Sequence, residues 1–249
     1  MHSYKMMKQP KMDYKKTSRY VVLGILFFLP VAFLLFLYPA THNYTPLEIV
    51  NSNVPDPGQM EGIFNNKVVL KDHITILGFI GNNPERHLVQ LSNLKELVYD
   101  KFKGFKKFQI VVLAPKGTEN ILKRLKSEIS SYEDLKFWHF ITGKPEAISN
   151  LYKSLKSTNS LDNEFGSDNV FIIDKELNQR GRLDDRNDNE IEKNIAVYGL
   201  YSYNCIEVAE IKNKMNDDLR ILFTEYRQKR KGNFNSDIRR AEDLKEQIN

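Results

Sequence analysis

Two apolar runs constrain this chain more than any other feature, residues 74–80 (ITILGFI) and residues 108–114 (FQIVVLA). Both are too short for a buried helix and rich in β-branched or aromatic side chains, so they read as strands. Neither alternates polar with apolar residues. A strand of that kind needs cover on both faces, as in a parallel sheet flanked by helices. The segments that follow supply the helices. Over 84–102, Leu88, Leu91, Leu94, Val98 and Phe102 recur near helical spacing. Over 118–131, Ile121, Leu122, Leu125 and Ile129 share one face behind Thr118, a candidate N-cap.

The rest of the pattern extends this alternation. Residues 67–70 and 135–141 read as further strands, and 145–156 as a helix with Pro145 in its first turn. Residues 169–174 and 179–183 flank a short polar connection, which predicts an antiparallel hairpin. A last helix over 206–230 carries the stripe Val208, Ile211, Met215, Leu219, Leu222 and Tyr226. The predicted fold class is α/β, a thioredoxin-like arrangement with a central mixed sheet flanked by helices and preceded by an N-terminal transmembrane helix. A doubly wound nucleotide-binding fold requires a glycine-rich turn after the first strand, and the sequence GNNPERH at 81–87 supplies only Gly81.

Residues 20–38 (YVVLGILFFLPVAFLLFLY) carry no charge. At ~1.5 Å per residue they span about 28 Å, close to the hydrocarbon thickness of a bilayer. Tyrosine stands at each end, as interfacial residues do, and Pro30 is tolerable within a membrane helix. A cleavable signal peptide is the competing reading, but its apolar core is ~7–15 residues and ends in a small-residue site. Here the run is longer and ends in Phe36-Leu37-Tyr38-Pro39.

The chain's formal charge is +5. Lys5, Lys8, Lys11, Lys15, Lys16 and Arg19 against Asp13 account for all of it, so the remainder is balanced. That excludes a nucleic-acid binder, which needs a basic footprint on its folded domain. It also sets orientation, because the positive-inside bias places the N-terminus in the cytoplasm. The expected organisation is a cytoplasmic basic segment (1–19), a transmembrane helix (20–38), an extracytoplasmic linker (39–66), a thioredoxin-like domain (67–230) and a polar tail (231–249). The domain is then periplasmic or otherwise extracytoplasmic. Its single cysteine, Cys205, can form no intrachain disulfide and is expected to act as a small buried hydrophobe.

A helix N-terminus after a buried strand lowers thiol pKa values and holds anions, so thiol and metal chemistry favour such junctions. Here the junction offers Asn82, Asn83, Pro84, Glu85, Arg86 and His87, with no cysteine. The surrounding blocks carry a family resemblance. They are 43–47 (NYTPL), Asn83-Pro84 after the strand, 137–143 (FWHFITG) with Glu146, 170–176 (VFIIDKE) and 180–184 (RGRLD). Over residues ~43–230 the chain resembles the SCO/SenC family, membrane-anchored thioredoxin-fold proteins tied to copper delivery and cytochrome c oxidase assembly. The resemblance implies that Asn83 and His87 stand where the family's C-P-x-x-C motif has its cysteines, and that Gly166 stands where it has its distant histidine. All three degenerate ligand positions depart from a set suited to Cu(I).

Asn83, Pro84 and Glu85 also make an ordinary helix start, with Asn83 as N-cap. His87 is the one candidate metal ligand, and is otherwise expected to be a partly exposed histidine without a metal. His42, His73 and His139 show no H-x-H, HExxH or CxxC spacing, and no glycine-flanked elbow serine marks a nucleophile. Residues 184–190 (DDRNDNE) offer oxygen ligands without the order of a calcium loop, and read as a solvated loop. The aromatic run 198–203 (YGLYSY) is expected to pack under the last helix. Ile238, Leu244 and Ile248 sit at loose heptad spacing in the tail. The sequence therefore predicts no catalytic residues and no cofactor, copper included. The expected function is a membrane-anchored binding or assembly module with a protein partner in the envelope and a link to respiratory oxidase biogenesis. The alternative is a metal-binding or thiol-redox assembly chaperone using His87 and Cys205.

Overall fold

The computed structural model describes residues 14–37, 46–58, 60–63, 67–130 and 134–232. The basic residues before 14, His42 and the tail residues Ile238, Leu244 and Ile248 lie outside these. The chain divides into two compact units, Met1–Tyr44 and Thr45–Asn249. In the first, helix α1 (Tyr14–Leu37) contains Pro30, and its stretch Arg19–Phe36 is long and apolar enough to cross a membrane.

The second unit is a thioredoxin-like α/β domain on a mixed sheet. Its strands are β1 (Glu48–Asn51), β2 (Glu61–Gly62), β3 (Ile74–Ile80), β4 (Phe108–Pro115), β5 (Trp138–Gly143), β6 (Gly166–Ile173), β7 (Gln179–Gly181) and β8 (Tyr203–Asn204). Their spatial order is β1-β7-β6-β3-β4-β5-β2, with β8 paired to β6. β3 and β4 are parallel, as are β4 and β5, while β6 runs antiparallel to β3 and forms a hairpin with β7. Parallel neighbours need crossovers. α2 (84–102) and α3 (Glu119–Ser130) provide them, and α4 (Pro145–Lys153) links β5 to β6. α5 (Asp188–Glu192) and the long α6 (208–231) follow the hairpin.

Every residue of β3 and β4 is buried, which explains the uninterrupted apolar runs. The strand period of two then sorts their side chains into two cores. Ile74, Ile76 and Ile80 face one with Leu91, Leu122, Trp138 and Leu219, under α2, α3 and α6. Leu77 and Phe79 face the other with Val68, Leu70, Ile148 and Tyr152, under α4.

Three expected elements differ. Residues 67–70 form no strand; Val68 and Leu70 are buried as irregular chain, and the Asp56 carboxylate accepts the Leu70 amide at 3.2 Å. The stretch read as a linker starts contributing to the domain at Leu47, which is buried, and supplies both edge strands β1 and β2. Elements of two to four residues bury too few side chains to leave a periodic signal. The charged loop after β7 contains α5, started by a reciprocal Asn187–Glu190 capping box.

Candidate functional site

β3 runs into Gly81, whose φ of +61° belongs to the left-handed region and whose added Cβ would run into the Glu164 carbonyl. Glycine is required there, and the turn aims the chain into α2 while the Asn82 amide donates to Glu164 O at 2.7 Å. Pro84 opens the first turn, Pro84–His87, as a 3-10 helix. Asn83 occupies the N-cap position but makes no side-chain cap, contrary to expectation; its carbonyl accepts from the Arg86 amide at 3.1 Å instead. A 3-10 turn places its bond three residues on and leaves the exposed Asn83 amide free of the capping geometry. Glu85 pairs with Arg124 of α3.

His87 is buried rather than partly exposed, because the start of β6 closes over it. A Cβ on Gly166 would lie 2.5 Å from His87 Nε2 and 3.2 Å from Asp162 Oδ2. His87 and Gly166 are thus in direct van der Waals apposition across the junction of α2 and β6. His87 Nδ1 faces two acceptors, Gln90 Oε1 at 2.9 Å and Asp168 Oδ1 at 3.2 Å. The Asp168 carboxylate can only accept, so Nδ1 carries a proton toward it, and Nε2 points toward Gly166 and the adjoining cavity. That cavity holds about 330 Å³ and has a polar rim that includes Asn159, Ser160, Asp162, Asn169 and Asn204.

Asp168, Gln90 and Asp162 were not singled out by sequence. Gln90 is three residues past His87 on one helix face, a usable signal. Asp168 depends on a bulge. Successive β3 residues Gly78 and Phe79 oppose Val170 and Ser167, so Asp168 and Asn169 are extra residues in β6. β8 pairs with that segment instead, through Asn169–Asn204 and the Cys205 amide donating to Asp168 O at 2.9 Å. Bulges re-aim side chains beside functional sites, and the feature is tertiary in origin.

Cys205 is fully buried, its thiol facing Tyr203 O at 3.7 Å. Burial pushes its pKa well above the usual thiol range, with Glu210 and Asp168 adding to the rise. A sealed thiol of that kind is inert. Among the described residues no group of three His, Cys, Asp or Glu side chains converges as a metal site. The donors near His87 are one imidazole nitrogen and hard oxygens, a poor match to copper's soft ligands.

The remaining candidates sort into structure. His73 Nδ1 contacts the Lys71 carbonyl at 3.0 Å. His139 is half-buried on β5, and burial, with Lys126 and His73 nearby, lowers its pKa to about 4. In the acidic loop, Asp184 pairs with Arg186 at 2.6 Å and is held below the usual carboxylate range by that hydrogen-bonded partner, while Glu190 accepts from Tyr198. Those two carboxylates are committed to Arg186 and Tyr198. The aromatic run divides: Tyr203 is buried with its hydroxyl on Asp218 at 2.7 Å, whereas Tyr198 is exposed.

No family model matches the chain, and no curated protein matches it in sequence. Solved structures do. A SCO1/SenC family lipoprotein from Bacillus anthracis is similar at 15% identity and a TM-score of 0.49, covering 71% of this chain and 99% of its own. A putative electron transfer protein from Aquifex aeolicus shows 17% identity and a TM-score of 0.46, covering 69% and 97%. ScoI of Bradyrhizobium japonicum, solved with copper bound, shows 13% identity and a TM-score of 0.39, covering 66% and 96%.

Proposed function

We propose that the chain is a membrane-anchored, extracytoplasmic protein of SCO type that has kept the scaffold, lost the thiol and copper chemistry, and works as a binding module in the assembly of a respiratory oxidase. In this reading residues 20–38 are the anchor and the recognition site is the His87 cavity. The observation that carries it is the apposition of His87 and Gly166 beyond Asn83-Pro84, at the end of β3, with the sole thiol sealed elsewhere. Asp168 and Gln90 hold the imidazole through Nδ1 and leave Nε2 toward the cavity. Nε2 then hydrogen-bonds a polar group on a partner, and the amide and hydroxyl rim provides further polar contacts.

The test is Cu(I) titration of the full chain against a competing chelator, together with crosslinking in cells. The expected result is no stoichiometric copper retention and a crosslink from the cavity rim to an oxidase assembly component, weakened by His87→Ala. Tight stoichiometric Cu(I) binding lost in His87→Ala would overturn the reading. The chaperone alternative using His87 and Cys205 places both residues about Asp168, His87 against its carboxylate and Cys205 through its backbone amide rather than its thiol. It predicts that Cys205→Ser lowers oxidase activity as far as deletion of the whole chain does. The binding-module reading predicts activity near wild type in that variant.

A further inference from the structure

At the other end of the sheet from His87, where β3 begins and β6 finishes, lies a larger cavity of about 670 Å³. Its walls come from the loop before β4, the β6–β7 turn and the last turns of α6. Five cations line it, Lys106, Lys175, Arg227, Lys229 and Arg230, against two carboxylates, Asp72 and Glu176. Of these, Lys229 pairs with Glu225 at 2.9 Å, and Glu176 accepts from the Tyr226 hydroxyl. No carboxylate among the described residues lies within ion-pairing distance of Lys106, Lys175, Arg227 or Arg230.

Basic residues in the last turn of a helix are ordinary, because they complement the helix dipole. That accounts for Arg230 and its neighbours on α6. It does not account for Lys106 and Lys175, which reach the same cavity from two separate loops. Like charges in excess of the nearby carboxylates repel one another, and an anion in their midst reverses the sign of that interaction. The floor is aromatic: Phe105 stacks on Phe223 with centroids 4.3 Å apart, and Lys175 Nζ stands 4.8 Å over the Tyr226 ring.

We propose that this cavity binds a phosphate-bearing anion, its phosphate held by Arg227, Arg230, Lys106 and Lys175 and its organic part lying against Phe105 and Tyr226. Two guanidinium groups three residues apart on one helix suit phosphate, whose oxygens accept paired N–H donors. The phosphate arrives either on a soluble ester or on an anionic lipid headgroup. The lipid source rests on the anchor reading; the soluble source does not.

The experiment labels Gly104→Cys with an environment-sensitive dye, since a side chain there meets nothing within 4 Å and Cys205 is buried. In one arm the full chain in uncharged detergent is titrated with glycerol 1-phosphate. In the other it is placed in nanodiscs of phosphatidylcholine, alone or with equal parts phosphatidylglycerol. A saturable, salt-sensitive response to the ester assigns a soluble ligand, and a response to phosphatidylglycerol discs assigns a headgroup. In either case the double variant Arg227→Glu/Arg230→Glu weakens the response by ~10-fold or more. The exposed control Lys123→Glu leaves it unchanged. No response in either arm, or one that survives the double variant, overturns the proposal. Failure of the chain to remain in discs counts against the anchor, and the detergent arm still decides the site.

Discussion

A methyl group at Gly166 would sit 2.5 Å from His87 Nε2, closer than carbon and nitrogen tolerate, and 3.2 Å from Asp162 Oδ2. Gly166→Ala therefore displaces the imidazole or the first residues of β6, and overpacking of that sort costs about 1–3 kcal/mol. The cost falls in a His87→Ala background, where the obstructing ring is gone. Urea unfolding of the double-mutant cycle should give a coupling of at least ~0.5 kcal/mol; equal costs in both backgrounds would deny the contact. His139 makes a separate prediction. Its folded pKa of about 4 lies below the ordinary 6.5, so the unfolded chain takes up the proton first as pH falls. Its contribution is complete above pH 6.5 and is lost between 6.5 and 4. His139→Asn should flatten that part of the stability profile by about 2 kcal/mol, less than the full shift because the ring keeps some contact with water. At this scale the site was half legible. Pro84 in the first turn followed from local chemistry while the Asn83 cap did not form, and the family resemblance pointed to His87 and Gly166. Asp168 was not legible, because a bulge answered by β8 decides where its side chain points.

Among the elements, the hairpin is fastened through Arg180 on β7, whose side chain is almost completely buried. Its guanidinium donates to Asp174 Oδ2 at 3.0 Å, to Glu225 Oε2 of α6 at 2.5 Å, and to the Leu47 carbonyl just before β1. One side chain thus joins the hairpin, the last helix and the point where the domain's chain begins. Removing it leaves buried Asp174 without an ion-pair partner and Glu225 with Lys229 alone, so Arg180→Met should cost about 3–5 kcal/mol in urea unfolding. A loss below ~1 kcal/mol would mean that the carboxylates find water or another cation. The adjacent Arg182 binds Asp218 and Asp185 and extends the same tie between β7 and α6. These roles explain the block RGRLD without assigning it chemistry. They also mark what sequence pattern can reveal about elements. β3, β4, α3 and α4 were visible because each buries a face long enough to impose its period. β1, β2 and β8 were invisible because two to four residues impose none, and partners far along the chain determine their pairing.

For the whole molecule, the decisive arrangement is a helix apolar enough to span a bilayer ahead of a domain with no net charge. Arg19–Phe36 meets the length requirement, and all the chain's excess positive charge precedes or begins it. In the proposed anchor reading the positive-inside bias keeps the cationic side in the cytoplasm, and the domain should emerge on the opposite side. Cys205 makes this measurable. With its thiol buried and its pKa raised, the native chain offers a maleimide no reactive group. A membrane-impermeant maleimide should then label Gly104→Cys in cells with a permeable outer barrier, and should label Lys8→Cys only after the inner membrane is opened. The native chain itself should label only when unfolded. The labelled Gly104→Cys chain should stay with the membrane through alkaline extraction at its full length. Labelling in the reverse order would invert the topology. A shortened chain released to the soluble fraction would make residues 20–38 a cleaved signal, and the domain would then have to find its membrane partner by binding alone.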